Sequence, residues 1–194
     1  MTAKVRRTSE ELIADLSDLD NRFSSLVATC SSEQLTSKPN PSGGWSIAEC
    51  IQHVALTNSQ YLAMIRMALG QNEKRAVAAN ATLSTAGWFS SYFIAKVVAP
   101  QSAKRFKAPK AIRPTPVDAQ EALQELLHSH EEIRQILTSN PKSDLNRIRF
   151  KNPLFPVIRF TVATGLLIMA AHGRRHLLQA ERVRQAQDFA VRQA

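Results

Sequence analysis

The stretch GWSIAECIQHVALTNSQYLAMIRMAL, residues 44–69, carries both its own start signal and its own period. Ser46 precedes an apolar run and Glu49 follows three positions later, the arrangement of a capping box. In that arrangement the hydroxyl accepts the third backbone N–H of the helix, and the carboxylate accepts the N–H of the capping serine. Trp45 and Cys50 fall at the two positions of a hydrophobic staple. Ile47, Cys50, Ile51, Val54, Leu62, Ile65 and Leu69 recur at helical spacing, and Gly70 follows as a natural terminator. The spacing predicts an amphipathic helix over about 46–69 that needs partners for its apolar face.

Three further segments supply such partners. Thr8 with Glu11 repeats the capping-box form ahead of Leu12, Leu16, Leu19, Phe23 and Leu26, predicting a helix over about 9–35. Asp118 with Glu121 opens a third, about 118–139, ending before Asn140-Pro141. A fourth follows the proline-broken stretch NPLFPVIRF and runs over about 161–192. Prolines and glycines in TSKPNPSGG (36–44) mark a loop. Long connections, 71–117 and 140–160, join the later helices, and an apolar piece around Trp88–Ala99 suggests a short helix inside the first. Long links free neighbouring helices from the antiparallel arrangement that short ones impose. Nothing reads as a strand ladder. The expectation is an all-α, single-domain four-helix bundle over residues 1–194.

The composition is that of an ordinary globular chain: 194 residues, 44% hydrophobic and 21% charged, long enough to bury a real core. Cys30 and Cys50 are the only cysteines, which excludes a disulfide scaffold. No apolar stretch approaches the roughly 20 residues of a membrane span, and the N-terminus shows no signal-peptide core, so a cytoplasmic protein without a membrane partner is expected. The net charge of +9 gathers partly in KRFKAPKAIR (104–113) and partly in Arg174, Arg175, Arg182, Arg184 and Arg192. Neither group lies in a recognisable nucleic-acid motif, and no nucleic-acid partner is expected.

Histidines carry the chemical signal. His172 and His176, in AAHGRRHLLQAERV (170–183), lie four apart and share a helix face. His53, on the inward side of the second helix, adds a third imidazole. Three histidines in a bundle core make a metal site with at least one open position, the pattern of a catalytic centre. The alternative is three packed histidines satisfied by ordinary acceptors. A zinc-protease reading is disfavoured, because Gly173 stands where His-Glu-x-x-His places its general base.

GGWSIAECIQHVALTNSQYL resembles the Trp-Ser-x-x-Glu-x-x-x-His signature of the DinB-like (DinB/YfiT) superfamily, and AAHGRRHLLQAERV resembles its closing His-x-x-x-His helix. The resemblance covers nearly the whole chain, least firmly at 71–117 and 140–160. It implies a four-helix bundle of up-down-down-up topology with a divalent metal, commonly zinc or nickel, on His53, His172 and His176. It also implies thiol-dependent chemistry: characterised relatives use a low-molecular-weight thiol as co-substrate in S-transfer or isomerisation. The leading expectation is therefore a metal-dependent thiol S-transferase acting on a small electrophilic substrate. A non-catalytic metal- or ligand-binding bundle and a metal-dependent hydrolase are the alternatives.

Other residues rank behind these three. Glu49 reads first as a cap and second as a hydrogen-bonded support for His53. Arg174 and Arg175 flank the motif, where either can meet an anionic thiol or substrate at the mouth of the site. Cys50 reads as a small buried hydrophobe. His128 and His130, two apart, read as surface or core-edge residues. Trp88, Phe89, Tyr92 and Phe93 read as core packing ahead of a lid. A homodimer is the default assembly for a bundle of this size.

Overall fold

A computed structural model describes residues 4–39, 44–71, 82–98, 107–139 and 144–191, and structural statements below concern these. Parts of several sequence expectations lie outside them: residues 40–43 of the 36–44 loop, 72–81 and 99–106 of the 71–117 connection with Lys104 and Arg105 of the basic run, 140–143 of the 140–160 connection, and Arg192 at the end of the last helix.

Four long helices dominate. The first, α1 (Ser9–Thr29), starts at Thr8 with both halves of the capping box formed. The expected single helix over 9–35 is interrupted: Cys30 is extended, and Ser31 with Gln34 forms a fresh capping box that opens α2 (Ser32–Thr36). Two competing start signals stand within one stretch of chain, and the second restarts the helix in a new direction. Helix α3 (Ile47–Gly70) begins at Ser46, whose hydroxyl accepts Glu49 N–H while Glu49 accepts Ser46 N–H at 2.9 Å. A short helix α4 (Gly87–Phe93) continues into one wide helical turn, Ile94–Val98. Helix α5 (Ala119–Ser139) is capped by Asp118, which accepts from Gln120 and Glu121. Helix α6 (Val162–Val191) starts beside Thr161, whose hydroxyl accepts Thr164 N–H.

The chain also forms strands that periodicity did not reveal. Strand β1 (Arg6–Thr8) pairs antiparallel with β2 (Thr82–Ser84), and β3 (Arg149–Lys151) with β4 (Arg159–Thr161). Each has three residues, too few for a two-residue alternation to show. The β3–β4 pair sets Phe150 opposite Phe160, both buried. The prolines that break the sequence pattern lie in the loop between them, where Asn152 Oδ1 accepts Leu154 and Phe155 N–H.

Helices α1 and α3 each pack against both α5 and α6. Asp15 meets Arg174, Arg22 meets Glu181 and Thr29 meets Arg184, so numbers rise together and α1 runs alongside α6 in the same sense. Against α3 the order reverses: a Cβ at Gly165 would meet Ile65, and one at Gly173 would meet Val54. Asn58 with Ser129 and Arg66 with Glu132 run α3 and α5 in the same sense. The core between them takes Leu16, Leu19 and Phe23 from α1, Ile51 and Ile65 from α3, Leu126 from α5 and Leu166 and Leu177 from α6. Each such side chain contributes about 1.5–3 kcal/mol on burial. The described residues thus form an all-α bundle with two small hairpin-like pairs at its edge.

Candidate metal centre

Close approach of α3 and α6 builds the site. Gly173 is buried, and a Cβ there would lie 3.2 Å from Leu19 Cδ1 and 3.8 Å from Val54 Cγ1. This turn of α6 packs against α1 and α3 with Gly173 at the contact, and His53, next to Val54, meets His172 and His176 there.

Ring centroids of His53 lie 4.9 Å from His172 and 4.6 Å from His176, and the latter two are 4.5 Å apart. One ring nitrogen from each falls within 4.8 Å of the others. Three imidazole nitrogens gathered this closely are the donor set that zinc takes, at about 2.0–2.1 Å per ligand. No aspartate, glutamate or cysteine among the described residues joins the group.

Each imidazole is prepared as a neutral donor. His53 Nδ1 lies 2.6 Å from the Ile112 carbonyl, which only accepts; that nitrogen therefore carries the proton and Nε2 keeps its lone pair. His176 Nδ1 lies 3.1 Å from Gln179 Oε1, and with the amide oxygen turned to it this nitrogen donates and Nε2 keeps its lone pair. His172 Nδ1 is buried with no hydrogen-bond partner among the described residues, an uncommon and costly state for such an atom. Burial pushes the His53 imidazolium down to about 4, partly opposed by the Ile112 bond. Burial, then the proximity of His53 and Arg175, pushes His176 down to about 3. His172 moves the same way, through burial and the other two imidazoles. Two fixed tautomers, an orphaned third nitrogen and three rings held uncharged fit a divalent cation.

Trp45 closes one side. Its ring lies 4.4 Å from His53 and 5.6 Å from His176, so the residue expected as a staple also covers two imidazoles. His53 and His176 are buried, and His172 is half-buried with its Nδ1 inside. Ile112 and Gln179, which orient two of the rings, had no signal in the sequence. A backbone acceptor leaves no mark on residue type, and Gln179 reads as an ordinary helix-surface residue.

The remaining candidates separate. Glu49 does not support His53: its carboxylate takes Ser46 N–H and Lys38 Nζ, the latter at 3.0 Å, and Ile112 has the position beside the ring. Arg174 turns away to α1 and pairs with Asp15 at 2.9 Å. Arg175 is partly desolvated, and its charge helps to hold His172 and His176 unprotonated. Cys50 is fully buried, and burial raises its thiol far above the usual range. His128 is exposed beside Glu132, as expected, but His130 is not at the core edge. It is fully buried, with Nδ1 on Asp20 of α1, which also takes Arg134. That acceptor lies 110 residues away, beyond the reach of local periodicity. Trp88, Phe89 and Tyr92 are exposed rather than packed, and only Phe93 among the four aromatics reaches a core ring, Phe160.

No helix among the described residues is long and apolar enough to cross a membrane. No curated protein and no solved structure matched the chain. The profile of the DinB superfamily matches residues 3–180, which include α3, α6 through the three histidines, and everything that packs them together. With that match over most of its length, the chain belongs to the DinB superfamily.

Proposed function

We propose that the protein is a metal-dependent enzyme that joins a low-molecular-weight thiol to a small electrophile. The observation that carries this reading is the three-imidazole cluster, held neutral and with the buried Nδ1 of His172 left without a partner among the described residues. A divalent metal, zinc or nickel, held by His53, His172 and His176 would supply a Lewis-acid position at which a thiol loses its proton.

The chain's own residues have distinct tasks. Ile112 and Gln179 hold the ligand nitrogens inward. Trp45 keeps water from the His53 and His176 side. Arg175 offers a guanidinium to an anionic group of the thiol or its partner. In the transfer, the thiol sulfur bonds to the electrophilic carbon, the leaving group departs with its bonding pair, and the thiol proton passes to solvent.

Elemental mass spectrometry on wild type and His172→Ala/His176→Ala is the first test. About one equivalent of metal in the wild type, lost in the variant, supports the centre. Turnover of an activated aryl halide that requires both metal and added glutathione or a related thiol supports transfer. Turnover of an ester without thiol would support metal-dependent hydrolysis instead. A wild type that stays empty after incubation with zinc and nickel overturns the reading.

A further inference from the structure

The bundle end remote from the imidazoles presents a surface that this chemistry does not use. Helix α4 is fastened there by Ala86 N–H to Thr164 Oγ1, 3.0 Å, and by Phe93 against Phe160, 5.5 Å. Thr164 precedes His172 by eight residues of α6, roughly 12 Å. The β3–β4 pair is fastened to the same end, with Phe150 against Tyr61 and against the backbone of Gly165.

Two kinds of side chain stand out from it. Trp88 is 74% exposed, with Phe89 and Tyr92 beside it, and Val157 at the β3–β4 loop is 95% exposed beside exposed Phe155. Around that loop Arg147, Arg149, Lys151 and Arg159 are all exposed, and none has an ion-pair partner among the described residues. The described segments 82–98 and 144–161 contain one acid, Asp144, and it is buried. Large apolar side chains beside uncompensated cations suit a boundary that is oily below and anionic above. Tryptophan and tyrosine favour that depth.

We propose that this end docks on the surface of an anionic lipid bilayer, with Trp88, Phe89 and the Phe155–Val157 loop entering the headgroup region. A second copy is a poor occupant, because a two-fold contact would set four cations against four with no acid to pair them. A single-stranded nucleic acid is also a poor one. Trp88 meets Phe89 at 87° and Tyr92 at 63°, edge to face, so the rings do not form the parallel platform on which bases stack.

The test is vesicle co-sedimentation of the full chain, with phosphatidylcholine alone and with a two-to-one mixture of phosphatidylcholine and phosphatidylglycerol. Binding is expected to the mixture only and to weaken with salt, with brominated lipid quenching Trp88. Trp88→Ser/Phe89→Ser is expected to weaken it at least about tenfold. Arg149→Glu/Arg159→Glu is expected to weaken it about 30-fold or more. Both pairs lie on the surface, so an unchanged melting temperature certifies that the variants fold. No binding to the mixture, or binding indifferent to both variants, overturns the proposal. So does a dimer by light scattering that Trp88→Ser/Phe89→Ser dissolves, or an oligonucleotide complex lost in that variant while vesicles stay unbound.

Discussion

Lowering the pH should unfold the metal-free protein well before its carboxylates titrate. His53 and His176 have imidazolium values of about 4 and about 3 in the fold, against an ordinary value of 6.5. The unfolded chain therefore takes up protons that the native state refuses, and stability falls as pH drops below 6.5. Each such ring removes about 1.4 kcal/mol per pH unit. From pH 6.5 to about 4.5 the two rings together remove about 5 kcal/mol, with His172 acting in the same direction. That is as large as the whole stability of many domains. Asp20 also destabilises on acidification, because His130 and Arg134 outweigh its burial and hold its carboxyl below 3.8. Its contribution is intact above 3.8 and is lost only below, outside this window. Urea melts of stripped protein between pH 7.5 and about 4.5 measure the slope, and His53→Gln/His176→Gln should reduce it to the share that His172 contributes. A stability that stays level between pH 7 and 5, or a slope that the double variant leaves undiminished, refutes the assignment of buried neutral rings.

Five further outcomes are expected. Zinc at a hundred times its dissociation constant should raise stability by about 2.7 kcal/mol at neutral pH, and a melt with and without the ion reads it. Gly165→Ala should cost about 1–2 kcal/mol, since its Cβ would lie 2.7 Å from Phe150 Cζ and overpacking exceeds the helical gain; Gly173→Ala, facing a yielding Leu19 methyl at 3.2 Å, should be neutral or slightly stabilising by thermal denaturation. Asp20→Asn should cost about 2–4 kcal/mol in urea, because it leaves Arg134 and the buried His130 without their anion. Ser46→Ala should cost about 1 kcal/mol through the lost α3 cap, with its metal content retained.

The helices were legible where a local rule set them. The Thr8, Ser46 and Asp118 caps are short-range chemistry, and all three formed. Ser31 with Gln34 was equally local, but the apolar period running through it concealed the break. The three histidines could be named from spacing and resemblance, and the structure brings them together. What supports them could not be named. The Ile112 carbonyl arrives from 59 residues away in a segment with no period, and Trp45 has a local role that accounts for it without the imidazoles. His130 departs from the expected core edge for the same reason: a buried histidine needs an acceptor, and Asp20 is contributed by another helix. Trp88, Phe89 and Tyr92 depart from the expected core packing because aromatic composition says nothing about which face a short helix turns outward.

The two bonds that orient the rings differ in how they meet genetic drift. Gln179 supports His176 through a side chain, and one nucleotide change can delete it. Ile112 supports His53 through a main-chain carbonyl that every residue possesses, so substitution at position 112 leaves the acceptor chemistry intact. Only a shift of the backbone, through an insertion, a deletion or a proline that redirects the turn, removes it. Descendants of this chain can therefore exchange Ile112 for any side chain that fits its buried place without losing the acceptor, while being held to its position, and at Gln179 the same descendants are held to the side chain itself.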